Sequence, residues 1–261
     1  MERGTGGGSK RIGMMAFNQS DFWWLTEEES KLYRYIFLCY QEPYSDEPNT
    51  DKEPTSVKRY CSLDASGILS KEKKHYPIDF IQYWKKKNNN INVFRSHCLF
   101  SDEDNSEKIY GPLIIDIDRE NGSYNEGYMQ NLDLALKDTY RLIDEYFYKL
   151  AENDFRIFFT GHKGFNIEVH PKALQIYSSL SDRYQQFTRI RKEINRVFGD
   201  SFADKLHNEV RMHDSINRFI SSDGVVMNRM KFEINIYELK RMTVDEICFK
   251  SEKLALDYVS K

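Results

Sequence analysis

Strands interleaved with helices predict an α+β (mixed α/β) fold, and three observations carry that expectation. An apolar strand-like run, Gly111-Pro112-Leu113-Ile114-Ile115-Asp116-Ile117-Asp118, ends in two carboxylates two residues apart. A second run, Phe158-Phe159-Thr160-Gly161-His162-Lys163-Gly164-Phe165-Asn166-Ile167-Glu168-Val169, reads as a strand, a short turn with two glycines and a second strand. Between them, Leu132, Ala135, Leu136, Thr139, Leu142, Ile143, Tyr146, Phe147 and Leu150 recur at helical spacing, predicting a core-facing helix over Tyr128 to Ala151. Such a helix lets the carboxylate strand and the glycine hairpin enter one sheet.

The remaining elements follow from local signals. A helix is expected from about Asp21 to Tyr40, with Thr26-x-x-Glu29 as a capping box. Gln41 to Ser56, rich in Pro, Asp, Glu and Asn, reads as a loop. Ile78 to Lys86 predicts a short helix bearing Phe80, Ile81 and Trp84, and Ile91 to Phe100 a strand before the acidic turn Ser101 to Glu107. Ser181 to Phe198 predicts a second amphipathic helix, with Tyr184, Phe187, Ile190, Ile194 and Val197 facing inward. Lys231 to Tyr237 alternates as a strand, and Thr243-Val244-Asp245-Glu246 opens a final helix with a capping-box signature. The first ten residues, glycine-rich and polar, read as a tail outside the fold.

Side chains two apart on a strand share a face, so Asp116 and Asp118 converge while Ile115 and Ile117 pack on the other side. Two like charges so placed repel unless a cation or a proton relieves them. Hard oxygen ligands suit Mg²⁺ or Mn²⁺, and those ions suit phosphate chemistry. Alone, such a pair is often a solvated strand end. The glycine turn adds the complementary part: Gly161 and Gly164 let backbone N–H groups face a ligand, and His162 and Lys163 bring donors or positive charge to the same place. A carboxylate pair and a cationic glycine turn are the two parts that a nucleoside triphosphate needs.

These segments, followed by Asp204 and by Arg211-Met212-His213-Asp214-Ser215-Ile216-Asn217, resemble the catalytic domain of the archaeo-eukaryotic primase superfamily, the primase-polymerases. The likeness runs over roughly residues 93 to 240, more than half the chain, and Val93-Phe94-Arg95-Ser96 is similar to the run that precedes the first motif in that family. It implies an RRM-like catalytic sheet packed with helices (about 93–261) joined to a smaller N-terminal α/β unit (about 11–92). It also implies two-metal nucleotidyl transfer. Asp116, Asp118 and Asp204 would hold two Mg²⁺ or Mn²⁺ ions and catalyse. Thr160, Gly161, His162, Lys163, Gly164, Asn166, Arg211, Ser215 and Asn217 would bind the nucleotide. The chain would then extend or synthesise primers on single-stranded DNA from nucleoside triphosphates. Two readings stand beside it: a metal-dependent nuclease or phosphodiesterase, and a catalytically silent nucleic-acid-binding domain.

The chain departs from the family pattern at Asn166, where histidine is usual, and at Thr160, where serine is common. Asn donates a hydrogen bond but carries no imidazolium charge, so His162 is the candidate to supply it. Asp200 and Asp214 rival Asp204 as the third acid. Among branches of the family, replication, repair and CRISPR-associated settings stay open, the last suggested only by general likeness, and an accessory domain or replication or CRISPR proteins are the partners expected.

Composition is compatible with that reading. At 261 residues, with 40% hydrophobic and 14% aromatic residues, the chain can bury a substantial core. A net charge of −3 argues against avid nonspecific DNA binding, although Lys71, Lys73 and Lys74, Lys85 to Lys87, and Arg189, Arg191, Lys192 and Arg196 form basic clusters. Cys39, Cys61, Cys98 and Cys248 are scattered with no paired spacing, so the sequence indicates neither a zinc knuckle nor a disulfide framework, and a reducing cytoplasm is expected. No apolar run approaches a membrane span.

Overall fold

The computed structural model describes residues 21–42, 58–64, 66–102, 109–118, 127–174, 189–190, 193, 209–221 and 224–260. In chain order these form α1 (Glu27–Leu32), β1 (Tyr35–Gln41), β2 (Arg59–Tyr60), β3 (Ser62–Leu63), β4 (Leu69–Ser70), β5 (His75–Pro77), α2 (Phe80–Lys87), β6 (Val93–Ser96), β7 (Leu99–Phe100), β8 (Ile109–Tyr110) and β9 (Leu113–Asp118). The second half supplies α3 (Tyr128–Tyr146), β10 (Phe155–Phe159), β11 (Gly164–Val169), β12 (Glu209–Arg211), β13 (Ile216–Ile220), β14 (Val226–Met230), β15 (Phe232–Ile234), α4 (Ile236–Leu239) and α5 (Val244–Val259). Mixed strands and helices with antiparallel sheets make this the α+β fold that the sequence predicts.

Two sheets organise the molecule. The first runs β12-β6-β1-β7-β8, with β2 and β5 also paired to β1. It extends beyond residue 92 and recruits β12 from late in the chain, so its strands run from Tyr35 to Arg211. The second runs β15-β10-β11-β9, all antiparallel, with β9 at one edge. Its alternation is the one legible in the sequence. Leu113, Ile115, Ile117, Phe159, Phe165 and Ile167 point to one face and bury against Leu132, Leu136 and Ile143 of α3 and Ile247 and Cys248 of α5. The polar residues between them occupy the opposite face.

Several expectations differ from the fold: the strand expected over Ile91 to Phe100 is two, β6 and β7, each paired separately with β1. The helix expected from Asp21 to Tyr40 is confined to α1, whose capping box pairs Thr26 with Glu29, and Tyr35–Gln41 is instead the central strand of the first sheet. That run has no polar stripe to turn to solvent. Ile36 and Leu38 enter one apolar cluster while Phe37 and Cys39 enter another, a pattern of period two that a strand buried on both faces satisfies. The strand expected over Lys231 to Tyr237 stops at Ile234, because the Asn235 side chain accepts from Glu238 N at 2.8 Å and starts α4. Helix α3 ends at Tyr146 rather than Ala151. Of the expected 181–198 helix only Arg189, Ile190 and Glu193 are among the described residues, all helical.

The hairpin between β10 and β11 lies against β9 with no room to spare. Gly164 pairs with Asp118, and a Cβ there would meet the Ile117 carbonyl oxygen at 1.9 Å, so only glycine permits the approach. Substituting Gly164→Ala should cost on the order of 3 kcal/mol of stability. Thermal or urea unfolding measures this, and an unchanged Tm would contradict the close packing.

Candidate functional site

The polar face of the second sheet places Asp116 and Asp118 on the edge strand β9, side by side with the hairpin. Both are half-buried, in a strand whose residues alternate buried and half-buried along its length. The register sets Asn166 opposite Asp116 and Gly164 opposite Asp118. Asn166 Nδ2 donates to Asp116 Oδ1 at 2.6 Å. Asn166 is therefore a clamp on the acid, in the position where the family resemblance looked for a contact to the triphosphate. Burial raises the Asp116 carboxyl to about 6, against partial opposition from Lys231 and the Asn166 hydrogen bond.

The turn is shaped by Thr160 and Gly161. Thr160 N and Oγ1 both donate to Gly164 O at 3.0 Å, so this hydroxyl closes the hairpin, while Gly161 takes φ +79°. The side chain of Lys163 is half-buried in the loop beside Gly164 and hence next to the Asp118 pairing. His162 behaves differently from the expectation that it replaces a missing imidazolium. Its ring stacks on Phe219 with centroids 4.4 Å apart, and Tyr128 Oη donates to its carbonyl. Burial first, then Lys163, Arg211 and Arg229, hold the ring down to about 3, so it is neutral at ordinary pH. Lys163 carries positive charge in the loop itself, while Arg211 and Arg229 act on it electrostatically, the latter paired with Glu252 at 2.8 Å.

Arg211 reaches this region from the first sheet. Its guanidinium lies 4.6 Å from the Phe94 ring centroid, Nη1 donates to Asn92 Oδ1 at 2.9 Å, and burial together with Arg59 lowers it to about 9. Ser215 is fully buried, with its hydroxyl enclosed in protein, and its carbonyl accepts from Lys231 N at 2.9 Å. Asn217 is buried on β13 opposite Arg229 of β14. Asp214, a rival third acid, is exposed with φ +55°. Asp204 and Asp200 lie outside the described residues. Among the described residues no third carboxylate, histidine or thiol joins Asp116 and Asp118 at ligating separation.

Behind the acid pair lies an ionic cluster that sequence reasoning did not identify. Glu168, on the same sheet face as Asp116, is completely buried. Its Oε1 lies 2.9 Å from His213 Nε2, 3.6 Å from Lys231 Nζ and 3.8 Å from Arg95 Nη2, and its Oε2 accepts from Trp23 Nε1 at 3.1 Å. Asp21 forms a second centre. It lies 2.6 Å from Lys85 Nζ and 3.6 Å from Arg95 Nε, and accepts from His213 N at 2.8 Å. These cations and donors hold both carboxyls far below the usual carboxylate range despite burial that pushes the other way. Lys231 also donates to Arg211 O at 3.0 Å and lies 4.9 Å from the Phe158 ring centroid, while burial lowers it to about 8. The available signal was in the hairpin itself: Asn166 and Glu168 are polar residues alternating with Phe165, Ile167 and Val169 in a strand that is buried throughout.

The sequence matches no protein-family profile and no curated protein. Among solved structures the chain is similar to the polymerase domain of Mycobacterium tuberculosis ligase D in complex with DNA. Identity is 15%, the alignment covers 84% of this chain and 82% of that one, and the TM-score is 0.42.

Glu168→Gln removes the charge while keeping the shape, leaving Lys231 and Arg95 without their common anion. It should cost about 3–5 kcal/mol at neutral pH. Because folding depresses the acid's pKa, its contribution is complete above the unfolded value near 4.5 and is lost as pH falls through the lower folded value. The Tm gap between wild type and Glu168→Gln should therefore narrow below about pH 4.5. A gap that widens on acidification would show that Glu168 is not ionised in the native state.

Proposed function

We propose that this chain is a template-directed nucleotidyltransferase that extends, and in a fuller setting initiates, primers on single-stranded DNA. The observation that supports this most is the cross-strand arrangement of the Asp116–Asp118 edge against the Thr160–Gly164 hairpin, whose loop carries Lys163 and lies within the electrostatic reach of Arg211. An acidic pair next to a cationic loop matches what a metal-chelated triphosphate presents: cations on one side and phosphate oxygens on the other.

The donor set fits divalent metal. Asp116 and Asp118 offer hard carboxylate oxygens, suited to Mg²⁺ or Mn²⁺. Asn166 restrains Oδ1 of Asp116, which limits rotation of the carboxylate and orients its other oxygen. Asp204 is the third acid in this reading, completing sites for two ions. Bound there, the ions would activate a primer 3′-hydroxyl and offset charge on the leaving pyrophosphate.

The chain's own residues divide the remaining work. Lys163 and the loop N–H groups donate to the triphosphate oxygens, and Arg211 adds positive charge from the first sheet. Neutral His162, packed on Phe219, gives the loop a firm apolar footing rather than charge. Thr160 and Gly164 hold the turn shut, and Asn217 and Ser215 shape the neighbouring segment. Lys231 offsets the Asp116 charge from beneath.

Primer extension on a primed single-stranded template, with ribo- and deoxynucleotides and Mg²⁺ or Mn²⁺, tests the reading. Asp116→Ala should abolish extension while far-ultraviolet circular dichroism stays native; extension that survives overturns the assignment. Lys163→Ala should raise KM for the triphosphate about 10- to 100-fold, the worth of one charged hydrogen bond. Degradation of labelled DNA with metal alone, without extension when nucleotides are added, would favour a phosphodiesterase instead.

A proton and a cation compete for Asp116. The Mg²⁺ concentration giving half-maximal extension should rise up to about tenfold per pH unit below about 6. A flat dependence between about pH 5 and about pH 7 would separate Asp116 from the metal.

A further inference from the structure

Two cysteines separated by 22 positions meet in a small buried cluster with Phe37 on the first sheet. The β1–β2 register pairs Tyr40 with Tyr60 and Gln41 with Arg59, and extending it by one pair sets Cys39 opposite Cys61. Neither uses its backbone to bond the other at this point: Cys61 N donates to Ser70 O, and Cys39 O accepts from Trp84 Nε1. This is a wide pair of the antiparallel ladder, where facing side chains come closest. The sulfurs stand 3.3 Å apart, and both residues are buried.

A third donor arrives from another strand. Glu209 on β12 is joined through β6 to β1, and its carboxylate oxygen and the two sulfurs all lie within 4.8 Å of one another. Two thiolates around a tetrahedral ion with metal–sulfur bonds of about 2.3 Å would stand somewhat under about 4 Å apart, close to the spacing found here. Glu209 Oε2 also engages Arg59 Nη1 at 3.2 Å, which leaves Oε1 as the natural ligand. The charges close as well. Two thiolates and a carboxylate around a divalent cation leave one negative charge, and Arg59 offsets it.

We propose that Cys39, Cys61 and Glu209 form a binding site for a soft divalent cation of the zinc class, with a fourth position left to water or an exchangeable ligand. Thiolate sulfur selects such an ion over Mg²⁺, so this site and the Asp116–Asp118 pair would draw different metals. The ion would staple β2 and β12 to the central strand β1. Arg211 lies two residues beyond Glu209 on β12, and Arg211 and Arg59 both lie near the Phe94 ring, at 4.6 and 5.8 Å from its centroid. A filled site would therefore hold in place the strand that carries Arg211 toward the hairpin.

Titration of the reduced full chain with Co²⁺ reads the site directly. One equivalent should produce thiolate-to-metal charge-transfer absorption with tetrahedral ligand-field bands, and Zn²⁺ should bleach both. Cys39→Ser and Cys61→Ser should each abolish the charge-transfer band, and Glu209→Gln should keep it with affinity weakened about tenfold or more. Asp116→Ala should leave it unchanged, which separates this proposal from the nucleotidyl-transfer reading. Should the serine variants fail to fold, alkylation of the wild-type chain in mild denaturant, where the buried pair opens to the reagent, decides. Zn²⁺ should slow the reaction of Cys39 and Cys61 with iodoacetamide relative to the metal-free chain, read by peptide mass spectrometry. The proposal is overturned if the reduced chain gives no charge-transfer band, if the band survives in Cys61→Ser, or if Zn²⁺ protects neither cysteine. It is equally overturned if the reduced pair ignores metal and only forms a disulfide with oxidised glutathione.

Discussion

A carboxylate sealed away from water holds the two halves of this molecule in register. Glu168 sits on the second sheet, but the groups that compensate its charge come from elsewhere: Arg95 from the first sheet, His213 and Lys231 from the segments flanking the β13–β14 hairpin, and Trp23 from the start of the described chain. Burying an ion costs several kcal/mol unless partners surround it, so this anion is tolerable only where all those segments converge. Asp21 repeats the arrangement with Lys85 and Arg95. Arg95 touches both centres, which makes one connected polar seam out of two. Such a seam specifies a unique alignment of the sheets more strictly than apolar contact would, since an apolar interface tolerates sliding and an orphaned buried charge does not.

The second sheet separates packing from chemistry by face. Its apolar face meets α3 and α5 and supplies the main core. The other face changes character along the strands, from the acid pair and glycine turn at one end to the ionic seam at Glu168. Asn166 lies between these regions and binds Asp116 at 2.6 Å, so the carboxylate is oriented by a neighbour that is itself buried. In the proposed site, precision would come from the sheet, and the loop would need to contribute only donors and charge.

Where the pattern in the chain was periodic, the structure could be read in advance. The Leu113–Asp118 alternation, the stripe of α3 and the capping boxes at Thr26 and Thr243 all depend on near neighbours, and each recurs in the fold. Tyr35–Gln41 was misassigned because a strand covered on both faces carries no alternation of polarity to distinguish it from a helix. The ionic seam was hidden for a different reason. Asp21, Lys85, Arg95, Glu168, His213 and Lys231 look like ordinary surface charges one at a time, and only the meeting of distant segments shows that they are buried. The cysteines illustrate the same limit: spacing along the chain said nothing of the β1–β2 register that brings Cys39 to Cys61. His162 and Asn166 stand out in the sequence as polar residues of the glycine hairpin, but their packing partners, Phe219 and Asp116, give them roles that composition does not assign.

Lys231 faces in two directions, and this gives the buried seam a stake in what happens at the sheet edge. Its ammonium lies 3.6 Å from Glu168 while its field also reaches Asp116. A divalent cation seated on Asp116 would turn its attraction for Lys231 into repulsion, which disfavours the ammonium on which Glu168 depends. One buried ammonium thus serves two acids, so the charge at the sheet edge and the strength of the inner seam are set together.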